Sequence, residues 1–230
     1  MKIAILGIGG VGGYFGGLLA KHYQHGHAEI NFIARGENEK VIAGAGLRLQ
    51  TMTGNLTAFP RRVSNDPAKI GRVDLIIVCT KGYDLEDALR HLKPCLGNET
   101  IILPLLNGID ARERIQKIYP ECEVWDGCVY LVARLGAPGV ILETGNVRKL
   151  FFGSELGNRS RLSEVENIFR MAGIEATWSE NIAETIWEKY LFISPIATLT
   201  SYLDKNIHEI FDGSENENLL NGLLSEVKMV

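Results

Sequence analysis

Two groups of residues in this chain could do chemistry, and they stand far apart in the sequence. The first is Gly7-Ile8-Gly9-Gly10-Val11-Gly12, which follows the apolar run Lys2-Ile3-Ala4-Ile5-Leu6 at once. It is a G-x-G-x-x-G between a strand and a helix, the arrangement that receives a dinucleotide pyrophosphate. Gly7 permits the tight turn, Gly9 lets the backbone approach the phosphates, and Gly12 lets the helix lie close on the strand. The helix N-terminus adds free N–H groups and positive dipole character. Gly13, Gly16 and Gly17 extend the set of small positions along the helix. A glycine-rich turn without a nucleotide is the competing reading, and the strand-loop-helix context weighs against it.

The cofactor's ribose falls near the end of the second strand, at Ile33-Ala34-Arg35-Gly36. A free 2′-hydroxyl is usually held there by an acidic side chain. Here the stretch offers Ala34 and Arg35, with Glu37 further into the loop. Arginine suits the extra phosphate of NADP through charge-assisted hydrogen bonds. Lys81, just beyond the strand ending at Cys79 and Thr80, adds positive charge at the same crevice. The expected cofactor is therefore NADPH, and the alternative for Arg35 is a solvated loop residue.

The second group surrounds Lys189, a conspicuous cation in the mostly apolar run Trp187 to Ile196. Such a lysine either snorkels to solvent or faces a polar pocket. At a cleft between domains it could give a proton to a carbonyl oxygen as hydride arrives. On position alone a surface helix is the better reading. Asn107, followed by Gly108 after an apolar strand, could bridge cofactor and substrate, although Asn-Gly is also a common turn.

The elements that must position these residues alternate at first between strand and helix. Strands are expected at Ile3–Leu6, Glu29–Ala34, Leu47–Gln50, Thr57–Val63, Asp74–Cys79 and Thr100–Leu103, with Ile30, Phe32 and Ala34 alternating against Asn31 and Ile33. Helices are expected from Gly10 to about Tyr23, before Gly44 and Gly46, and over Leu85–Leu92. Such repetition argues for a parallel sheet wrapped by helices. After Ile115 the pattern changes to longer strands at Val124–Ala133, Gly139–Leu142 and Lys149–Phe152. A helix at Arg161–Met171 and a strand at Ile174–Thr177 follow.

Beyond about Asn181 the chain reads as helical. Ile182–Leu203 contains Pro195, which should kink or interrupt it. Asn216–Met229 places Leu219, Leu220, Leu223, Leu224 and Val227 on one apolar face. The expected class is thus α/β: a Rossmann-type nucleotide-binding domain over residues 1–178 and an all-helical domain beginning at 179–230. Two helices cannot bury each other well, so the second domain reads as incomplete. It needs further chain or a partner subunit, and a homodimer through the helical domain would serve.

Composition narrows the class further. With 230 residues, 46% hydrophobic and 23% charged, the chain has the make-up of an ordinary globular protein. A formal charge of -4 gives no reason to expect nucleic acid. Cys79, Cys95, Cys122 and Cys128 form no C-x-x-C and no tight metal-ligand cluster, which favours a reducing compartment and no metal. No stretch reaches the roughly 18 to 20 apolar residues of a membrane span. The lysine and apolar run at the N-terminus resemble a signal peptide only superficially, because the glycines fall in the nucleotide pattern. The expected location is the cytoplasm.

Taken in order, these segments resemble the ketopantoate reductase (2-dehydropantoate 2-reductase) family over nearly the whole chain. The resemblance rests on the glycine loop, Cys79-Thr80-Lys81-Gly82-Tyr83, Leu106-Asn107-Gly108, Gly139-Val140-Ile141 … Thr144-Gly145 … Phe152-Gly153, and Asn181-Ile182 … Ile186-Trp187-Glu188-Lys189. It implies a Rossmann domain followed by a helical domain. It also implies NADPH-dependent reduction of 2-dehydropantoate to pantoate, a step of pantothenate and coenzyme A synthesis. Under it Lys189 matches the catalytic lysine and Asn107 the asparagine near the nicotinamide. Arg35 and Lys81 match basic positions near the adenosine 2′-phosphate.

The chain departs from the family in one place that bears on substrate. The family commonly has asparagines four and eight residues after the lysine; here Ile193 and Ala197 stand there. These positions share a helical face, and neither side chain can hydrogen-bond a hydroxyl or carboxylate. Losing such contacts can cost several orders of magnitude in recognition. Ser194 is one position off and is assigned no role. The family's substrate-binding serine and glutamate, from a further helical segment, have no counterpart before Val230. A different small 2-keto acid, or an NADP-binding protein without turnover, are the alternatives.

Overall fold

The computed structural model describes residues 1–155, 157–211 and 213–230, with Ser214 by its backbone alone. The chain begins with β1 (Lys2–Leu6), α1 (Gly10–His22), β2 (Glu29–Ile33), α2 (Gly36–Ala45) and a hairpin of β3 (Leu47–Thr51) and β4 (Gly54–Ala58). It continues through β5 (Arg62–Ser64), β6 (Leu75–Val78), α3 (Leu85–Leu89), β7 (Ile101–Pro104), α4 (Ala111–Ile118) and β8 (Glu123–Val124). Six of these strands form a sheet in the order β5-β2-β1-β6-β7-β8, every neighbouring pair parallel. From β1 the chain builds outward to β2 and β5, then returns to the other side of β1 with β6. Such a reversal leaves a crevice at the carboxyl ends of the strands that flank it.

The apolar runs of these strands follow from burial on both faces. Ile3 and Ile5 join Leu75 and Ile77 in one core. Ala4 and Leu6 join Ile76 and Val78 in another, with Leu85 and Leu89 of α3 and Ile115 of α4. The alternation expected for β2 is present, with Ile30, Phe32 and Ala34 in the first core and Ile33 in the second. Asn31 is fully buried, its amide directed to the carbonyl of Ile3 at 3.4 Å and to Glu29 at 3.2 Å. A sheet covered on both faces has no solvent side to receive it.

A second sheet follows, built around β9 (Asp126–Ala137) and β10 (Val140–Gly153), with α5 (Arg159–Met171) and β11 (Glu175–Trp178). β10 pairs antiparallel with β9. Along its other edge it pairs in parallel with β3 at Val140–Leu142 and with β11 at Lys149–Phe152. Helix α1 lies between the two sheets, which explains its glycines. A Cβ on Gly16 would come within 3.0 Å of Phe32 in the first sheet, and one on Gly13 within 2.4 Å of Ile141 in the second.

Several strand expectations change. Thr57–Val63 is not one strand: β4 ends at Ala58 in the second sheet and β5 starts at Arg62 in the first. Pro60, which has no N–H to give a ladder, lies in the crossing. The strands expected at Gly139–Leu142 and Lys149–Phe152 are one strand, β10, whose register against β9 shifts between Glu143 and Arg148. Val124 belongs to β8, so the expected strand Val124–Ala133 straddles both sheets. The transfer is made at Trp125, fully buried and stacked on Phe152 with centroids 5.7 Å apart. α3 stops at Leu89 rather than Leu92, and Lys93–Cys95 forms a 3-10 turn around Pro94.

The described residues divide into two compact units, Met1–Ile182 and Ala183–Val230. The second holds nearly all of α6 (Ile182–Leu203) together with α7 (Ser214–Val227). α6 runs through Pro195 without interruption, so the proline does not break it. On α7, Leu220, Leu223, Leu224 and Val227 are half-buried, while Leu219 is exposed. Among the described residues, no helix is long and apolar enough to cross a membrane.

Candidate cofactor cleft

The crevice beside β1 and β6 is a cleft of about 570 Å³, lined by the glycine loop, the end of β2 and the segments that follow β6 and β7. Gly7 turns the chain out of β1 with φ +91°, and its N–H donates to the carbonyl of Ile33 at 3.1 Å. A side chain there would also press on the backbone of Cys79 at 3.0 Å. Gly12 sits under the loop, where a Cβ would meet the carbonyl oxygen of Gly7 at 2.1 Å. The first turn of α1 carries no acidic side chain, which leaves its N-terminal dipole uncompensated.

Two features of this cleft fit a dinucleotide. Gly9 caps α1, and a Cβ built on it meets nothing within 4 Å. No protein atom demands a glycine there, so the open space is room for a ligand's close approach. Among the described residues, the buried hydroxyl of Thr80 has no hydrogen-bond partner, and Thr80 lines the cleft. Buried polar groups are normally satisfied. A phosphate- and hydroxyl-rich ligand would supply what Thr80 lacks.

Of the residues expected from sequence, Gly7, Ile8, Gly9, Gly10, Val11, Arg35, Lys81 and Asn107 all line this cleft. Gly12 lies beneath the wall. Gly10, which the motif leaves free, has a packing duty of its own, since a Cβ there would come within 2.1 Å of the carbonyl oxygen of Ala133 in β9. Arg35 is the residue before α2, with its side chain 81% exposed and 3.3 Å from the carboxylate of Asp84. Lys81 is exposed at the start of a 3-10 turn, Gly82–Asp84. Asn107 follows β7, next to Gly108 with φ +104°.

Lys189 belongs to the second unit, half-buried on α6. Nearby on that helix Trp187 and Tyr190 meet edge to face, centroids 5.8 Å apart. Ile193, one turn on, is half-buried, and Ala197 is exposed.

The motif reading missed two residues that support the cleft. Asn38 on α2 donates to the carbonyl of Ile8 at 2.8 Å and accepts from the N–H of Gly139 at 2.7 Å. It ties the glycine loop to the β9–β10 turn. Arg114 on α4 grips both carboxylate oxygens of Glu86, at 2.7 and 2.8 Å, and donates to the carbonyl of Gly82 at 2.5 Å. It fixes the segment carrying Lys81, and the guanidinium holds the Glu86 carboxyl down at about 2. Neither residue belongs to a local pattern, so no sequence signal exposes them. Burial pushes the Cys79 thiol well above its ordinary range, which keeps it protonated and unreactive at neutral pH.

The strand order, the reversal beside β1 and the glycine loop define a Rossmann-type nucleotide-binding domain. The family model described as ketopantoate reductase PanE/ApbA matches residues 3–155. A 2-dehydropantoate 2-reductase of Pyrococcus horikoshii is 32% identical over 228 residues, 99% of this chain and 71% of that protein. The crystal structure of 2-dehydropantoate 2-reductase from Porphyromonas gingivalis W83 superposes with a TM-score of 0.91 at 41% identity, covering 99% of this chain and 80% of that one. D-Mandelate dehydrogenase with NADH and anilino(oxo)acetate is similar at TM-score 0.82 and 26% identity, covering 96% and 70%. The chain belongs to the ketopantoate reductase family of oxidoreductases.

Proposed function

We propose that this protein reduces the 2-keto group of 2-dehydropantoate to pantoate with NADPH, a step toward pantothenate and coenzyme A. The observation that carries the reading is the cleft itself. In a chain of this family, an open glycine loop, an exposed arginine at the end of β2 and Asn107 beyond β7 line one crevice. When bound, NADPH supplies a hydride. The glycine loop and the α1 N-terminus hold the pyrophosphate, Arg35 and Lys81 meet the 2′-phosphate, and Asn107 orients the nicotinamide end. Lys189 gives a proton to the carbonyl oxygen, so that the ketone becomes an alcohol as the carbon receives hydride.

A second reading concerns the substrate and is favoured by Ile193 and Ala197. An apolar face at i+4 and i+8 from Lys189 suits a 2-keto acid with a larger apolar group better than a hydroxylated one. The likeness to a D-mandelate dehydrogenase, solved with NADH and an aryl oxoacetate, points the same way.

Incubating the full-length protein with NADPH and a panel of 2-keto acids, and following nicotinamide absorbance, decides between them. Turnover of 2-dehydropantoate in preference to the rest is the expected result. A preference for an aryl or branched 2-keto acid establishes the second reading instead. Tight NADPH binding without any turnover overturns both and leaves a binding protein.

A further inference from the structure

Three carboxylates crowd the segment just beyond β6: Asp84, Glu86 and Asp87. Glu86 is held by Arg114 through two hydrogen bonds, and Asp87 lies 3.7 Å from Arg90. Asp84 and Asp87 both line the cleft, and of the two it is Asp84 that meets Arg35, its Oδ2 3.3 Å from Nη2. Among the described residues, Arg35 forms no other ion pair. The cation expected to meet the cofactor's 2′-phosphate is thus already engaged by a carboxylate that lines the same cleft.

We propose that Asp84 sets the choice between NADPH and NADH by competing for Arg35, an inference that rests on the cofactor reading above. A 2′-phosphate brings a charge of about −1.5 to −2 at neutral pH. To reach Arg35 it must displace Asp84 or lie beside it as a like charge. A 2′-hydroxyl has no such conflict, because it can donate to the carboxylate. Rossmann domains ordinarily place that acid at the end of the second strand. Here Arg35 follows β2, and the acid comes from the segment after β6. The site therefore carries a group for each form of the cofactor, joined in one ion pair. Arg35 is 81% and Asp84 41% exposed, so the competition is screened and modest in size.

Affinity of the full-length protein for NADPH and NADH, measured by calorimetry or nicotinamide fluorescence, tests this. Wild type, Asp84→Asn, Asp84→Ser and Arg35→Ala are compared at low and high salt. Both Asp84 variants are expected to bind NADPH about two- to fivefold more tightly at low salt, and the gain should shrink as salt rises. Neither should bind NADH more tightly, so the NADPH-to-NADH preference increases. An unchanged preference in both Asp84 variants, with a loss of preference in Arg35→Ala, overturns the role of Asp84 and leaves the cofactor reading intact. If wild type prefers NADH and Arg35→Ala changes nothing, the cofactor reading falls and this inference with it.

Discussion

The side chain of Asn38 donates to the carbonyl oxygen of Ile8 across 2.8 Å, joining the helix after β2 to the loop after β1. Its own oxygen accepts from Gly139 in the second sheet, so one half-buried amide holds three segments together. The glycine loop owes its shape to this contact as well as to its own glycines.

Asn38→Ala should therefore destabilise the protein by about 1–2 kcal/mol, because both partners lose a bond. It should also weaken NADPH binding. Asn38→Asp retains an acceptor for Gly139 but no donor for Ile8, and should fall between the two. Urea denaturation with parallel cofactor titration checks this. Unchanged affinity in Asn38→Ala would show that the loop holds its shape unaided.

Gly9 and Gly10 are neighbours with different obligations. Gly9→Ala meets no protein atom and should leave stability within about 0.5 kcal/mol of wild type, while cutting cofactor affinity about tenfold or more. Gly10→Ala drives a Cβ onto the backbone of Ala133 and should cost about 1–3 kcal/mol. Thermal melts without ligand separate the two. If Gly9→Ala binds NADPH normally, the loop does not approach the phosphates as proposed.

The Glu86–Arg114 contact carries a pH signature. The folded carboxyl titrates at about 2 against an ordinary value of 4.5, chiefly through the hydrogen bonds from Arg114. A depressed carboxylate stabilises the fold above its unfolded value, and that contribution is lost as pH falls toward the folded one. Wild type should therefore exceed Glu86→Gln in stability near neutrality, with the difference closing between pH 4.5 and 2. Denaturant midpoints at several pH values measure it; a gap that stays constant with pH contradicts the assignment.

Lys189→Ala should lower kcat by about a hundred- to ten-thousand-fold, the range for a lost general acid, and leave NADPH affinity nearly unchanged. Steady-state kinetics with a binding titration reports both. Near-normal turnover would remove Lys189 from the proton-donor role.

Much of the cleft was legible from local pattern. The glycine loop, Arg35, Lys81 and Asn107 each sit where a strand ends, and a parallel sheet gathers its strand ends on one side. Spacing alone therefore places them together. Thr57–Val63 was misread because a chain can change sheets within a few residues. Asn38 and Arg114 left no trace in the sequence, since their partners are distant and of no distinctive type.

The sequence by itself determined the strand-loop-helix at the N-terminus, the alternation of strands and helices and the family, because these depend on short-range periodicity and on motifs that backbone geometry requires. Tertiary structure alone decided why α1 is so rich in glycine, which carboxylate engages Arg35, and what anchors the cofactor loop. Those depend on which surfaces two sheets bring within a few ångströms of each other. That is a property of packing between segments far apart in the chain, which no local spacing encodes.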